Sequence, residues 1–386
     1  MTPTQPRRRI LLVLSTLGWA GAETQVIHLA SGLARRGHQL TVAALRDAAV
    51  NVEPLEDLGV RILTLGAESR ARRLLTVVQL ARIARRMDLV HSTGWDTTLW
   101  GRLAALLARR PMTITEQTPG RDEQVSRSGA PRGRWLALHN RLLGRFTART
   151  VACGRWQIPL LESEGVPSAS IVHIPNAVPV DELQAAASNG GVTREQLGLG
   201  SRTKILFQGA RLLPHKNQRA TIAVLERLRG HFGDVRALLV GEGSDSSNLE
   251  REAREQGTEG VHFLGRRDDI PELLGLSDLV VHPSRAEGLP LVLLEAIAVG
   301  VPVVAADAGD VKRLLDETGA GICVGIDDAE ALFAACRDIL EDESLHRRLS
   351  ENARENSRRF DAAAMTSDYE ALFESVIASR ESVRSR

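Results

Sequence analysis

Apolar residues along the chain fall into two alternating patterns. Short unbroken apolar runs mark strands buried on both faces, and longer stretches with apolar positions every three or four residues mark amphipathic helices. In the first half the runs predict strands over Arg9–Leu14, Gln39–Leu45, Val60–Leu65, Asp88–His91, Met112–Thr115, Thr150–Ala152 and Ile171–Ile174, with helices over Glu23–Arg36, Leu74–Arg86 and Thr97–Ala108. The pattern breaks at Asn189-Gly190-Gly191 and starts again with strands over Lys204–Gln208, Val235–Val240, Val261–Leu264, Leu279–His282 and Val301–Ala305. Helices over Ala329–Leu340, Leu345–Arg359 and Ala362–Ile377 complete it. Alternation of strand and helix predicts parallel sheets of βαβ units. The break predicts two doubly wound α/β domains joined by a linker. Open sheets of this kind bind ligands beyond the carboxyl ends of their strands, so a cleft between the two domains is the expected site. Between Thr118 and Gly133 the apolar pattern gives way to Gly, Ser, Pro, Arg and Asp, which reads as a mobile loop.

Composition narrows the function classes. With 386 residues, 43% hydrophobic and 25% charged, the chain is long enough for two cores and too apolar for disorder. Nothing approaches the roughly 18 consecutive apolar residues of a membrane span. Arg7-Arg8-Arg9, Ile10–Leu14 and Ala20-Gly21-Ala22 mimic a signal peptide, but the apolar run is short and the helical pattern continues past the cleavage-like site, so a strand, a glycine loop and a helix are expected, in a cytoplasmic protein. Cys153, Cys323 and Cys336 are too far apart for a metal site or a disulfide framework. The net charge of +1 hides an asymmetry: residues 1–185 carry 24 Lys+Arg against 15 Asp+Glu, and the remainder 25 against 33. A basic first half suits an anionic acceptor or peripheral contact with a membrane surface; diffusely solvated arginines are the plainer reading. Five Trp, one Tyr and seven Phe form no aromatic-rich basic stripe, which argues against nucleic-acid binding.

The densest chemistry lies in His282-Pro283-Ser284-Arg285-Ala286-Glu287-Gly288-Leu289-Pro290, running on to Glu295. A strand ends, a loop turns and a helix begins near a proline, then stops at Gly300; the helix N-terminus attracts an anion such as phosphate. Glu287 and Glu295 would lie roughly 12 Å apart on a continuous helix. That exceeds the roughly 5 Å of a retaining glycosidase pair and suits two anchors on one long ligand. Arg211 and Lys216, in the loop after Lys204–Gln208, could clamp a diphosphate and neutralise it as it leaves. Gly241-Glu242-Gly243 is an incomplete dinucleotide turn. In the first half, Gly21 would let the backbone approach an anionic ligand, and His91, Trp95, Asp96 and Glu116 fall at or just beyond strand ends; a lone strand-end histidine is commonly structural.

In order, these segments resemble the retaining nucleotide-sugar glycosyltransferases of family 4, which have the GT-B fold: two Rossmann-like domains. The resemblance rests on Gly21-Ala22-Glu23, Arg36-Gly37-His38, Ile174-Pro175-Asn176-Ala177-Val178, Arg211 with Lys216, Phe263-Leu264-Gly265, Glu287-Gly288-Leu289-Pro290-Leu291 with Glu295, and Gly300-Val301-Pro302-Val303-Val304. It implies an acceptor-binding domain over 1–185, a donor-binding domain over 190–360 and a final helix, 361–386, that returns to the first domain. It implies that Arg211 and Lys216 bind the donor diphosphate, that Glu287 bonds sugar hydroxyls and that Glu295 bonds the ribose. Gly288, Leu289 and Leu291 fall in the same donor site, Arg266 and Arg267 line the base pocket, and Gly21 faces the diphosphate. His91, Asp96 and Glu116 are acceptor-side candidates. No metal or other cofactor is expected, the donor being a nucleotide sugar, with a uridine base favoured. Departures are Ala20 in place of a glycine, Glu116-Gln117 where many members carry a histidine, and Lys312 where glutamate is common. Ala20 and Lys312 motivate one rival, a degenerate protein that binds a sugar nucleotide or partner without turnover; a GT-B sugar-nucleotide epimerase is a second.

Overall fold

The computed structural model describes residues 6–18, 20–46, 52–66, 70–117 and 140–384, with the backbone alone at 70–74, 95–96 and 383–384. The loop expected at Thr118–Gly133 lies outside the described residues. The chain divides into two compact units, Met1–Ala177 with Ala362–Arg386, and Val178–Asp361.

In the first unit, β1 (Arg9–Leu14), β2 (Gln39–Ala44), β3 (Arg61–Thr64), β4 (Leu89–Thr93), β5 (Met112–Glu116), β6 (Arg149–Ala152) and β7 (Ile171–His173) form one parallel sheet in the order β3-β2-β1-β4-β5-β6-β7. Leu11, Leu12 and Val13 of the interior strand β1 are at most 1% exposed, because helices cover both faces. Helices Arg70–Ala84 and Trp95–Ala108 cover one face through Leu80, Ala81, Ala84, Ala104 and Ala105. Helix Gly21–Arg35 and the C-terminal helix Ala362–Arg384 cover the other. The segment that mimics a signal peptide thus folds as β1, a loop and a helix.

The second unit repeats the plan with β8 (Lys204–Gly209), β9 (Val235–Val240), β10 (Val261–Gly265), β11 (Leu279–His282), β12 (Val303–Ala306) and β13 (Gly321–Val324), all parallel, in the order β10-β9-β8-β11-β12-β13. The strand order reverses at β8, between β9 and β11. The connections after β8 and β11 therefore leave in opposite directions, and the carboxyl ends of these two strands are where an open sheet of this kind binds ligands. Helix Val180–Ser188 lies in this unit, packed on helices Ile270–Leu276 and Leu291–Val299. The division therefore falls before that helix rather than at 185, and Asn189-Gly190-Gly191 is an ordinary turn inside the second unit.

The C-terminal helix returns to the first unit for two physical reasons. Met365, Tyr369, Leu372, Phe373, Val376 and Ile377 recur at helical spacing and bury one stripe against the first unit's core, each worth about 1.5–3 kcal/mol gross. Charged groups then set its position. Glu370 accepts from Arg36 at 2.7 Å and from His38 at 2.8 Å, and Glu374 accepts two bonds from Arg8 at 2.7 and 2.8 Å. Burial alone would raise the Glu370 pKa, but the bonds from His38 and Arg36 outweigh it and hold the carboxyl below its ordinary range. Depression relative to the unfolded chain means that the Glu370 contribution is complete above about pH 4.5 and disappears as pH falls through the lower folded-state value. Glu370→Ala should therefore lower unfolding stability by about 1–3 kcal/mol near pH 7. Chemical unfolding of wild type and variant across pH checks this: the gap must narrow on acidification.

Candidate functional site

The loops after β8 and β11 carry most of the donor-side residues. After β8 the chain runs through Ala210–Leu213 into a 3-10 turn, Pro214–Lys216, and Asn217 takes a left-handed conformation (φ 54°) to open helix Gln218–Phe232. The first part of the loop lies against the turn after β9: Ala210 N–H donates to Val240 O at 2.9 Å and Leu212 N–H to Glu242 O at 3.0 Å. Gly243 permits this, since a Cβ there would sit 2.1 Å from the Leu212 carbonyl. The incomplete Gly241-Glu242-Gly243 turn therefore serves close backbone packing against the loop that bears Arg211. Gln208 and Gln218 fix the loop from either side, donating to Lys216 O at 3.0 Å and Arg211 O at 3.1 Å. The Arg211 guanidinium is exposed, and among the described residues no hydrogen bond or ion pair engages it. Lys216 turns inward.

The loop after β11 brings Glu287 to meet it. Glu287 is 6% exposed, and one carboxylate oxygen, Oε1, accepts from Lys216 Nζ at 2.5 Å and from His282 Nε2 at 2.7 Å. Burial would raise the pKa of this carboxyl, but the charges and hydrogen bonds of His282 and Lys216 prevail and hold it well below the usual range. Facing a carboxylate, His282 Nε2 carries the proton. Sequence reasoning placed His282 at a strand end and assigned it no role; the only signal was its position five residues before Glu287.

Other contacts lock this loop. Arg285 N–H donates to His215 O at 2.8 Å, and its side chain reaches Asp327 at 2.8 Å, which Asn217 Nδ2 also approaches at 3.3 Å. From the turn after β12, Asp310 N–H donates to Gly288 O at 3.0 Å. Gly309 (φ 64°) makes that turn possible, because a Cβ would lie 2.3 Å from Glu287 O. Helix Leu291–Val299 follows with Pro290 at its N-cap and no side-chain cap, and ends at Gly300 in the left-handed region. The helix takes in Leu291 to Glu295 but not Glu287, so the continuous-helix spacing of the two glutamates does not apply. Leu289 is buried and Leu291 half-buried against the second unit's core. Glu295 keeps part of its surface open to solvent, but desolvation of its carboxyl raises the pKa to about 7, and among the described residues nothing hydrogen-bonds it.

Beyond β10, Arg267 pairs with Asp269 and Arg266 lies 3.8 Å from Asp268. Lys312, at the position where the family favours glutamate, pairs with Asp316 on the surface.

The first-unit candidates separate. Gly21 is exposed at the first position of its helix, whose N-cap, Ala20, supplies no side-chain bond. Glu116 is the last residue of β5 and buried. Asp96 lies in the first turn of helix Trp95–Ala108, and its side chain is outside the described residues. The strand carrying His91 runs on to Thr93, so His91 lies mid-strand rather than at a strand end. It is 1% exposed, with Nδ1 at 2.8 Å from Thr113 Oγ1 and Nε2 at 3.2 Å from Thr115 Oγ1, and packs against the rings of Tyr369 and Phe373. Burial lowers its pKa to about 3, which keeps it neutral. This environment is that of a satisfied core histidine. Among the described residues no three His, Cys, Asp or Glu side chains could hold a metal ion.

Comparison with known proteins gives two family matches: "Glycosyltransferase Family 4" over residues 19–182 and "Glycosyl transferases group 1" over residues 192–356. The phosphatidyl-myo-inositol mannosyltransferase of Mycolicibacterium smegmatis is 28% identical over 92% of this chain and 90% of its own. A GDP-mannose-dependent alpha-(1-6)-phosphatidylinositol monomannoside mannosyltransferase of the same organism is 32% identical over 46% of this chain and 48% of its own. The Anabaena HepE structure in complex with UDP and glucose has the same fold, with TM-score 0.83 and 24% identity over 96% of this chain and all of that one.

The raised Glu295 pKa makes a prediction for the ligand-free protein. A folded-state value above the unfolded one contributes stability that is complete below about pH 4.5 and is lost as pH rises through about 7. Glu295→Gln removes that loss, so relative to wild type it should gain on the order of 1–3 kcal/mol between pH 6 and pH 8.5. Parallel urea unfolding at the two pH values measures the difference; an equal offset at both would contradict it.

Proposed function

We propose, for a chain that belongs to the family 4 glycosyltransferases and has the two Rossmann-like units of their GT-B fold, the transfer of one sugar from a nucleotide-diphosphate sugar to an acceptor hydroxyl with retention at the anomeric carbon. The chain is a glycosyltransferase, as its relatives along nearly its whole length are. The observation that carries the donor reading is the buried Glu287 carboxylate joined to Lys216 at the β8/β11 switch point, with the exposed Arg211 on the same loop.

In this reading Arg211 and Lys216 take the diphosphate and stabilise its charge as the bond from the anomeric carbon to phosphate oxygen breaks. The uncapped start of helix Leu291–Val299 adds N–H groups and a favourable dipole. Glu287 Oε2 accepts from donor-sugar hydroxyls and Glu295 from ribose hydroxyls. Gly288, Leu289 and Leu291 shape the donor pocket, and Arg266 and Arg267 flank the base. The acceptor hydroxyl attacks on the face the nucleotide leaves, and a donor phosphate oxygen takes its proton. These fixed cations do the work a metal ion would otherwise do. Glu116 and Asp96 serve the acceptor side. His91 supports the sheet beneath them.

A UDP-sugar is the donor favoured by family frequency, and the fold neighbour with bound UDP supports it. GDP-mannose is the second reading, favoured by relatives named as mannosyltransferases, one of them GDP-mannose-dependent. An acceptor that carries a phosphatidylinositol lipid agrees with the names of the same relatives, and no helix among the described residues is long and apolar enough to cross a membrane. Peripheral contact has a physical basis in the first unit. Leu75, Val78, Leu106 and Leu107 are exposed on helices Arg70–Ala84 and Trp95–Ala108, near the exposed Arg82, Arg85, Arg86 and Arg109.

Lys216→Ala and Arg211→Ala should each lower kcat/KM by about 10²–10³-fold without loss of fold. Donor-consumption assays across UDP-, GDP-, ADP- and dTDP-sugars, with circular dichroism as the folding control, test this; near-full activity in both variants would remove the diphosphate clamp. Release of nucleotide that depends on an acceptor separates transfer from epimerisation, and nucleotide binding without any product would mark a degenerate binder. For the membrane, wild type should float with anionic phosphatidylglycerol vesicles and Arg85→Glu/Arg86→Glu should not; equal flotation with neutral phosphatidylcholine would contradict the contact.

A further inference from the structure

We propose that His282 is a positioning residue for transfer: its imidazole Nε2–H grips Glu287 Oε1 and so fixes the carboxylate with Oε2 presented to the donor sugar. The inference rests on the reading that Glu287 meets that sugar, and goes beyond it by naming what aims the carboxylate.

The backbone around Glu287 is pinned by the Asp310 N–H bond to Gly288 O and by the close approach of Gly309, which places the residue but leaves the direction of its two carboxylate oxygens to side-chain partners. Two donors from different elements meet on one of its oxygens, Lys216 Nζ at 2.5 Å and His282 Nε2 at 2.7 Å. They are not equivalent. Lys216 ends a flexible four-carbon stem with three donors and is only partly buried. A bound diphosphate competes for those donors, so the lysine grip weakens when the donor sugar arrives. His282 is 1% exposed at the end of β11, held by a two-torsion ring among strands. It is too deeply buried to touch substrate, so its grip persists while Lys216 turns to phosphate. Its Nδ1 has no hydrogen-bond partner among the described residues. All of its polar bonding is therefore committed to Glu287, an arrangement that a purely structural histidine such as His91, bonded at both nitrogens, does not show.

The groups whose charge acts on Glu287 are His282 from β11 and Lys216 from the 3-10 turn. Arg285 and Asp310 meet the neighbouring backbone at His215 and Gly288 through their own backbone N–H groups, and the Arg285 side chain pairs with Asp327. Removing the imidazole takes away one of the two influences that keep Glu287 ionised, and its pKa must rise.

The test compares His282→Phe, His282→Gln and Glu287→Gln in steady-state assays from pH 4 to 9, with thermal melting alongside. In His282→Phe, kcat should fall on the order of 10²-fold, with a smaller change in donor KM, and the acid limb of the pH profile should move to higher pH. His282→Gln, whose amide N–H can reach the place of Nε2, should recover most of kcat. Wild-type kcat and acid limb in His282→Phe would overturn the proposal. So would equal loss in both histidine variants with an unmoved acid limb, which would make the ring structural only. Full activity of Glu287→Gln would instead sink the sugar contact on which the proposal rests.

Discussion

A carboxylate held in a nearly closed site beyond the carboxyl ends of β8 and β11 is the constraint on which the second unit is organised. Burying an unpaired carboxylate would cost several kcal/mol or protonate it. Glu287 stays ionised because Lys216 and His282 reach it from two different strand ends. Every irregular segment nearby then has a physical purpose. The left-handed Asn217 turns the Lys216 loop into its helix, Gly243 and Gly309 allow backbones to meet at contact distance, and Asp327 joins Arg285 to Asn217. These contacts all lie within one unit, and they fix the backbones on both sides of the Lys216–Glu287 contact.

The same doubly wound plan is used twice with opposite results. Each sheet places a histidine on the strand beside its first strand, His91 on β4 and His282 on β11. In the first unit threonine hydroxyls and two aromatic rings of the C-terminal helix satisfy the histidine, which burial keeps neutral. In the second unit a glutamate stands five residues further on and makes the histidine part of a charged cluster. Fold and local residue type are the same; the neighbours decide whether the ring is bonded to neutral hydroxyls or to a carboxylate.

Much of this was readable from the chain itself. Long apolar runs such as Val235–Val240 and Leu279–His282 are strands from end to end, because burial on both faces leaves no other period. Arg211, Lys216, Glu287 and Glu295 stand out by residue type, order and family resemblance, and the structure brings two of them, Lys216 and Glu287, into contact. What was not readable depended on three-dimensional partners. β13 is only four residues and begins with a glycine that lies against the Val303 carbonyl, so it carries no strand signal of its own. The unit boundary was displaced because Asn189-Gly190-Gly191 looks like a linker, whereas the packing of helix Val180–Ser188 decides the matter. His282 looked like a strand end until its distance to Glu287 was known.

The central proposal is that Glu287 anchors the donor sugar, aimed by His282 and released by Lys216 as that lysine goes to phosphate. A crystal structure with an intact, non-transferable nucleotide sugar measures this most directly. The predicted result has a sugar hydroxyl within hydrogen-bond distance of Glu287 Oε2, His282 Nε2 still on Oε1, and Lys216 Nζ against the diphosphate. A donor bound with its sugar away from Glu287, and Lys216 still closed on Oε1, would contradict it.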